Sequence, residues 1–440
     1  GLTYREIWIA ESQERMVLAV PPDKVDELVK VFQSYNSEAT PIGKFRSDGK
    51  VILKYDGKVV GELHTKFIFE QQPLGCKKAR LPKCVESPHR THQYDNNTIH
   101  GLLLKMLASP FVASKDWVVR QYDHEVQGGS VIKPLYGDAA VITPWPGTTY
   151  GIAIGCGINP LYSIHPYKMA QAAVDEAVRQ IVAVGGNPND IVLLDNFSWG
   201  NPEDHEKLGA LVLAAKGLYD AAKKLGTPFI SGKDSLHNEF RLGDKNISIP
   251  HTLLVTAIGI VEDINYTVTM GLKHIGDSIG IVGFTLGELG GSLWAYVENE
   301  PYGIVPTFDG ELAKRVYRAV HELIQRGIIV AAHDVSEGGI GVTVVEMAQT
   351  GQKGVTIDID KIPHDGELQG WELLFSESNS RVVVEIAKGK EAAFLDILAK
   401  NGVPGNIIGE VIPDSEVKFI HNGELLFSVP PVIPRYPDFV

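Results

Sequence analysis

The 440-residue sequence predicts a mixed α+β fold with α/β patterning, built around a duplicated domain whose first copy is cut short. Three observations carry this. A segment near the N-terminus recurs 366 residues later without a gap (377 − 11 = 366). Strand-like and helix-like runs alternate through the rest of the chain. At roughly 150 residues per domain, the length suggests about three domains.

The repeat sets the frame. Glu11-Ser12-Gln13-Glu14-Arg15 faces Glu377-Ser378-Asn379-Ser380-Arg381, Ile42-Gly43 faces Ile408-Gly409, and Asp56-Gly57 faces Asn422-Gly423. Gly43 follows Arg15 by 28 positions, as Gly409 follows Arg381, and the turn glycine lies 14 further on in both copies. Each copy starts with an acidic-polar motif and then a β run, Met16–Val20 or Val382–Ile386. In the first copy Val25, Leu28, Val29 and Phe32 have the spacing of one helix face. Two strands then meet at Asp-Gly or Asn-Gly, a hairpin signal. More than 100 residues of patterned sequence precede Glu377, but ten precede Glu11. A half-domain leaves a sheet edge unpaired, so the chain is expected to begin partway through the first copy. Its first residue is Gly rather than Met.

The remaining elements follow in order. Residues 1–70 form the C-terminal part of the first copy. Residues 71–119, punctuated by Pro73, Pro82, Pro88 and Pro110, read as a linker with one short helix. Cys76, Cys84, His89 and His92 fall here, but Cys-x7-Cys followed by His-x2-His is not a common zinc spacing. Residues 120–264 form a second unit. It has β runs at Asp138–Thr143 and Tyr150–Gly155, and a long helix from about His165 to Val184 that ends at Gly185-Gly186. A strand at Ile191–Leu194, a helix at Glu206–Leu225 and a strand at Pro228–Ile230 follow. Residues 265–440 form a third unit, with strands near Ser278–Gly283, Ile328–Ala332 and Val382–Ile386.

Composition narrows the function. The net charge is −13, which argues against nucleic acid or an anionic membrane as the main partner. A hydrophobic content of 44% with 22% charged residues is a globular balance. Three cysteines exclude a disulfide framework and point to a reducing compartment, the cytoplasm. No apolar run approaches about 18 residues, and no basic-then-apolar leader opens the chain. Forty-five glycines fit an enzyme with tight turns near ligands.

Standard fingerprints fail. Gly232-Lys233-Asp234 lacks the Ser or Thr of a P-loop, and no Gly-x-Gly-x-x-Gly follows a strand. Cys156, in Gly-Cys-Gly, reads as a small core or turn residue rather than a nucleophile. The informative positions are acids at strand ends: Asp195 after Ile191–Leu194, Asp334 after Ile328–His333, and Asp138 before an apolar run. Ligands of α/β proteins collect outside strand ends, and phosphate-bound Mg²⁺ takes a few carboxylates plus water. The competing reading for each Asp is a helix cap or turn. Glu176 shares a helix face with Met169, Ala172, Ala173, Ala177 and Ile181, where a carboxylate must pair or bind a cation. Gln180 is one turn further along. The plainer reading puts Glu176 at the stripe's edge, paired with a Lys or Arg. Gly283–Ser292, Asp334–Gly339 and Ser231–Ser235 are corners that either cradle phosphate or simply turn. Together with the repeat, these features suggest an ATP-using enzyme built by duplication.

Glu11-Ser12-Gln13-Glu14-Arg15-Met16, Gly137-Asp138-Ala139-Ala140-Val141, Ser231-Gly232-Lys233-Asp234-Ser235 and His333-Asp334-Val335-Ser336-Glu337-Gly338-Gly339 carry a resemblance over essentially the whole chain. In that order they resemble the synthetase subunits of phosphoribosylformylglycinamidine synthases, in the aminoimidazole ribonucleotide synthetase superfamily. The resemblance implies a tandem A–B–A–B array of two domain types. Residues 1–70 would close the first B domain, 120–264 would be the second A domain and 265–440 the second B domain. The first A domain, with the family's catalytic histidine base, would be absent, so this piece alone is expected to be inactive.

The resemblance further implies ATP-dependent conversion of formylglycinamide ribonucleotide to its amidine with glutamine-derived ammonia, in purine biosynthesis. It places Ser12, Gln13, Glu14 and Ser235 on the substrate, and Asp195 and Gly232 at the catalytic ATP. Lys233 stands where shorter relatives have an Mg²⁺-binding Asn, and a charged Lys cannot ligate a metal. Asp138, Glu176, Gln180 and Asp334 match the Mg²⁺ ligands of a second, non-turning ATP or ADP, and Ser336 matches a nucleotide contact there. In the repeat, Glu14 becomes Ser380 and Gln13 becomes Asn379, which supports an asymmetry between the sites. A separate glutaminase subunit and a small bridging subunit are the implied partners, with a fused glutaminase as the alternative. Two other readings stay open: another enzyme of the superfamily, and a nucleotide-binding structural or regulatory fragment.

Overall fold

The computed structural model describes residues 1–71, 75–84, 86–87, 92–301 and 303–436. The chain divides into two compact units, Gly1–Lys77 and Lys78–Val440. Among the described residues no helix is long and apolar enough to cross a membrane.

In the first unit, α1 (Tyr4–Ile9) opens with a capping box. The Thr3 hydroxyl accepts from the Glu6 amide at 3.3 Å, and Glu6 Oε2 accepts from the Thr3 amide at 2.7 Å. The helix α2 (Val25–Ser34) half-buries the predicted stripe of Val25, Leu28, Val29 and Phe32. Strands β1 (Lys50–Tyr55) and β2 (Lys58–His64) pair antiparallel, and α3 (Thr65–Glu70) follows. Their turn has φ of 48° at Asp56 and 76° at Gly57, the left-handed pair that a two-residue hairpin needs.

One expected strand does not form. Met16–Val20 is irregular, with Met16 and Val17 exposed by 88% and 86%. Its repeat counterpart Val382–Ile386 is a fully buried strand, paired on both sides with 278–282 and 329–334. Those partners precede the repeat in sequence, and residues 1–10 hold nothing comparable. Without a ladder on either side, the β run leaves its amides to water.

The second unit begins with α4 (Asn96–Leu107) and α5 (Asp116–Val119). Strands β3 (Ser130–Ile132), β4 (Ala140–Ile142) and β5 (Gly151–Ile158) lead to α6 (Pro166–Ala183). Then come β6 (Ile191–Ser198), α7 (His205–Leu225), β7 (Phe229–Ser235), the hairpin β8 (Glu239–Leu242) and β9 (Lys245–Ser248), and β10 (Thr252–Val261). The C-terminal part runs β11 (Ser278–Val282), α8 (Leu293–Glu298), α9 (Gly310–Gln325), β12 (Ile329–Asp334), α10 (Gly339–Gly351) and β13 (Gly354–Asp358). It ends with α11 (Gly370–Phe375), β14 (Val382–Ile386), α12 (Glu391–Asn401), β15 (Gly405–Ile412), β16 (Val417–His421) and β17 (Glu424–Val429).

Two sheets organise these elements. The first has six strands in the order β3-β4-β5-β10-β6-β7, and the second seven in the order β12-β14-β11-β15-β13-β16-β17. Pairing is antiparallel except at β6/β7 and β13/β16. A parallel neighbour needs a crossover, and α7 supplies it for β6 and β7. One core unites the buried face of the six-stranded sheet, α6, α7, α9, α12 and one face of the seven-stranded sheet. A second core packs the opposite face of the latter against α4, α8, α10 and α11. Leu102, Leu103, Met106 and Leu107 of α4 are buried in it, so α4, within 71–119, is part of a packed core, and the short α5 follows it in that segment.

Helix α6 lies at the centre, and all but Tyr167, Lys168 and Gln180 of its 18 residues are buried. Its alanines allow close approach. At Gly157 of β5, an added Cβ would lie 2.1 Å from the Ala173 carbonyl oxygen of α6, so this strand touches the helix only as glycine.

Candidate functional site

The duplicated motif folds alike in both copies. Arg15 Nε donates to the Ser12 carbonyl at 3.2 Å and its Nη2 to the Ala10 carbonyl at 2.7 Å. Arg381 Nε donates to the Ser378 carbonyl at 2.9 Å and its Nη2 to the Ser376 carbonyl at 2.6 Å. Each arginine thus staples its own loop. At the tip, Glu14 and Ser380 both have φ of 59°, a left-handed conformation that costs a residue with a side chain. The pattern that recurs in sequence is therefore a loop built to present its tip.

In the second copy the tip is gripped by α6. Asp175 accepts from the Ser380 amide at 2.8 Å and from its hydroxyl at 2.5 Å, and also from Tyr317 and Arg179. Arg179, one turn on, reaches Asp334 at the end of β12 through Nε at 3.2 Å and Nη2 at 3.1 Å. Its Nη2 also donates to Ser336 Oγ at 2.9 Å, and that hydroxyl donates to Asp334 Oδ2 at 2.6 Å. Glu176 Oε2 accepts from the Ile158 amide at 3.0 Å and Asn159 Nδ2 at 3.1 Å, while Gln180 Oε1 accepts from the Cys156 amide at 2.9 Å.

A second carboxylate group adjoins this one. Asp138 Oδ2 accepts from the Asp334 amide at 2.8 Å, and its Oδ1 lies 2.6 Å from His333 Nδ1. His333 Nε2 lies 3.0 Å from Glu346. An imidazole between two carboxylates donates from both nitrogens only when protonated. Burial opposes that charge, but Asp138 and Glu346 overcome it and hold the His333 pKa well above its usual value. Glu377 accepts from the amides of Leu293 at 2.8 Å and Gly338 at 2.7 Å and from the Tyr162 hydroxyl at 2.5 Å.

The electrostatics are those of an unfinished site. Burial, and then the Glu337 and Asp334 charges, push Glu176 well above the usual carboxyl range. Burial, then Glu377, takes Glu337 up to about 8, and burial takes Glu377 to about 7. Asp138 is also raised, chiefly by burial. Arg179 and His333 offset only part of this negative charge, since carboxyls stay raised where counter-charge falls short. Glu176 Oε1 and Asp334 Oδ1 take no part in the hydrogen bonds above. Hard carboxylate oxygens short of a counter-charge fit Mg²⁺, and ligand atoms of Asp138, His333 and Asp334 lie within 4.8 Å of one another. The structure thus brings together Asp138, Glu176, Gln180, Asp334 and Ser336.

Asp195, Gly232, Lys233 and Ser235 form a different group at the β6/β7 edge of the six-stranded sheet. Asp195 lies inside β6, not at its end, because the strand continues to Ser198. Its register partner is Gly232. A Cβ at Gly232 would sit 2.2 Å from Asp195 Oδ1, so only glycine leaves that carboxylate its place. Burial, then Asp234, raises the Asp195 pKa. Lys233 Nζ donates to Ser235 Oγ at 2.8 Å. Ser12, Gln13 and Glu14 lie exposed in the first unit.

Other expectations resolve differently. Glu176 is buried and held by an amide and an asparagine, so it is not an edge residue paired with Lys or Arg. Cys156 is an exposed residue of β5, neither core nor turn. His92 stacks on Tyr94 and bonds Glu300 at 3.3 Å, and His89 lies outside the described residues. Sequence reasoning passed over Asp175, Arg179 and His333. An Asp/Arg pair four residues apart inside an Ala/Val helix was the available signal, since buried charges come paired.

Comparison with known proteins follows the same division. Residues 2–56 and 275–422 match the C-terminal domain of AIR synthase related proteins, and residues 136–261 match the N-terminal domain. The chain is 35% identical over 410 residues to the phosphoribosylformylglycinamidine synthase subunit PurL of Thermococcus sibiricus, covering 92% of this chain and 55% of that one. It thus spans about half the length of the curated relatives it matches. T. maritima PurL complexed with FGAR has a similar fold, with a TM-score of 0.62 at 20% identity, covering 80% of this chain and 55% of that one. T. maritima PurL complexed with ATP gives 0.61 at 20% identity, covering 78% and 53%.

Proposed function

The chain belongs to the AIR synthase related family, and on that premise we propose that it forms part of a phosphoribosylformylglycinamidine synthase. The reaction is ATP-dependent conversion of formylglycinamide ribonucleotide to formylglycinamidine ribonucleotide, with ammonia from glutamine. ATP phosphorylates the amide oxygen, which turns a poor leaving group into a good one, and ammonia displaces the phosphate. Similarity to synthase subunits over 92% of the chain carries this reading. The cation-deficient carboxylate cluster supports it.

The sites divide as the geometry divides. The loop tip of Ser12, Gln13 and Glu14 is assigned to substrate, and so, separately, is Ser235 of β7. Asp195 and Gly232 flank the reacting ATP, where the missing Cβ leaves the Asp195 carboxylate its place beside the strand. Lys233 is not a metal ligand, because its ammonium donates to Ser235, and it offers its charge to phosphate instead. Asp138, Glu176, Gln180 and Asp334 would hold Mg²⁺ at a second nucleotide, and Ser336 would contact that nucleotide. Bound there, Mg²⁺ screens the charge of the phosphates. Arg179 keeps Asp334 and Ser336 aligned, and the Asp175 grip on Ser380 fixes the loop that lost its substrate carboxylate. A glutaminase subunit supplies the ammonia, and a small bridging subunit is a further partner.

The test is a full-length synthase subunit containing this segment, assayed for amidine formation from formylglycinamide ribonucleotide, ATP and ammonia. Turnover is expected from the full-length protein and none from the 440-residue chain alone. Amidine formation by the isolated chain contradicts the placement of the catalytic base outside it.

A further inference from the structure

The seven-stranded sheet carries a second group of ionisable side chains outside the cluster described above. His274 and Asp277 lie on the turn that leads into β11, and Glu385 lies on β14. One ligand atom of each falls within 4.8 Å of the other two. Glu385 is 0% exposed and Asp277 4%, while the His274 side chain is 68% exposed and forms the mouth.

The fold itself does not ask for these charges. Glu385 stands at an interior strand position, opposite the apolar Ile279 on one side and Ala331 on the other. In the first copy of the repeat that position is Ala19. A buried carboxylate is costly unless a counter-charge meets it. Here there are two, Asp277 and Glu385, both buried. The nearby Lys273 feels the Glu385 charge, but its Nζ hydrogen-bonds Thr269 and the Gly271 carbonyl rather than either carboxylate.

Backbone amides hold both carboxylates as outer-shell donors hold metal ligands. Lys273 N donates to Glu385 Oε2 at 2.6 Å, His274 N to Glu385 Oε1 at 2.8 Å, and Lys388 N to Asp277 Oδ1 at 3.1 Å. Each oxygen keeps a further lone pair. Asp277 Oδ2 is buried without a hydrogen-bond partner, and His274 Nδ1 lies 3.3 Å from it.

We propose that His274, Asp277 and Glu385 form a binding site for one divalent transition-metal cation of the Zn²⁺ type, closed by water on the His274 side. One imidazole with two carboxylates suits such a cation, whereas Mg²⁺ and Ca²⁺ prefer oxygen donors alone. The ion pins the turn before β11 to β14, at a structural position apart from the nucleotide cluster. The metal would bind the buried Asp277 Oδ2, beside His274 Nδ1 at 3.3 Å.

The test uses the full chain, stripped with chelator and titrated with Zn²⁺ by calorimetry, then with Co²⁺ in the visible range. His274→Ala removes an exposed side chain, and circular dichroism checks its fold. It is expected to weaken one Zn²⁺ site by about tenfold or more and to abolish the corresponding Co²⁺ bands. Asp138→Asn is expected to leave that site intact, which separates it from the Mg²⁺ cluster. Identical titrations of wild type and His274→Ala overturn the proposal. So does the absence of Zn²⁺ binding, which leaves Asp277 and Glu385 sharing a proton.

Discussion

Asp175 is the residue on which the second-copy loop and α6 depend most. Four donors converge on this fully buried carboxylate: Arg179, the Tyr317 hydroxyl, and the amide and hydroxyl of Ser380. Asp175→Ala removes this acceptor from all of them. Arg179 keeps Asp334 at 3.1 Å, so its charge retains one partner, and the loss falls at the low end for a broken buried pair, about 3 kcal/mol. The Ser380 amide and hydroxyl are also buried, and each adds about 1 kcal/mol or more when left unmatched, while the Tyr317 hydroxyl keeps the backbone carbonyl of residue 175 at 3.1 Å. The sum is roughly 4–6 kcal/mol. Asp175→Asn keeps an acceptor of the same shape and should lose about half as much. Urea unfolding followed by tryptophan fluorescence reads this directly, because Trp199, Trp294 and Trp371 are buried. The midpoint should fall with an unchanged slope. A loss below about 1 kcal/mol for Asp175→Ala refutes the reasoning, since it would mean that the convergence on Asp175 stabilises nothing.

Glu337 and Glu377 have folded pKa values of about 8 and 7, above the ordinary 4.5. The folded state therefore binds more protons across that range. Stability of the metal-free chain should be fullest below about pH 4.5 as far as these groups count, and should be lost as pH rises through 7 to 8, by at most about 1.4 kcal/mol per pH unit per group. Melts across pH in EDTA and in Mg²⁺ test this, and a metal-free profile rising from pH 6 to 8 in step with Glu377→Gln contradicts it. Gly157→Ala should destabilise by about 1–3 kcal/mol, because its Cβ would lie 2.1 Å from the Ala173 carbonyl oxygen. A thermal melt equal to wild type would mean that β5 and α6 can part cheaply. In a complete synthase subunit, Glu14→Ala should abolish amidine formation with the melt unchanged, and normal turnover removes Glu14 from the substrate site.

Much of this architecture was legible in the residues. The 366-residue offset carried over into the backbone, down to equal φ at Glu14 and Ser380 and equivalent arginine staples. Helices α2, α6 and α7 followed their apolar spacing, because a helix satisfies its own backbone. Met16–Val20 did not form a strand, because strand formation depends on partners that a local pattern cannot reveal. Asp195 looked terminal since the apolar run stops at Leu194, yet β6 continues through Asn196 and Ser198 on backbone pairing to β7 and β10. Glu176 was singled out for the right reason, its apolar surroundings, but its partners are Ile158 and Asn159, set by tertiary contact. His333 was hidden because its two carboxylates, Asp138 and Glu346, come from different elements.

The proposed metal–nucleotide site of Asp138, Glu176 and Asp334 is open to direct test. The most direct measurement is to denature the purified chain and quantify adenine nucleotide and Mg²⁺ released into the supernatant, for wild type and for Asp334→Asn. The account predicts close to one ADP or ATP per wild-type chain, accompanied by Mg²⁺, and clear loss of both in Asp334→Asn. No nucleotide from the wild type, also after incubation with excess Mg·ADP and desalting, or equal retention by the variant, contradicts it.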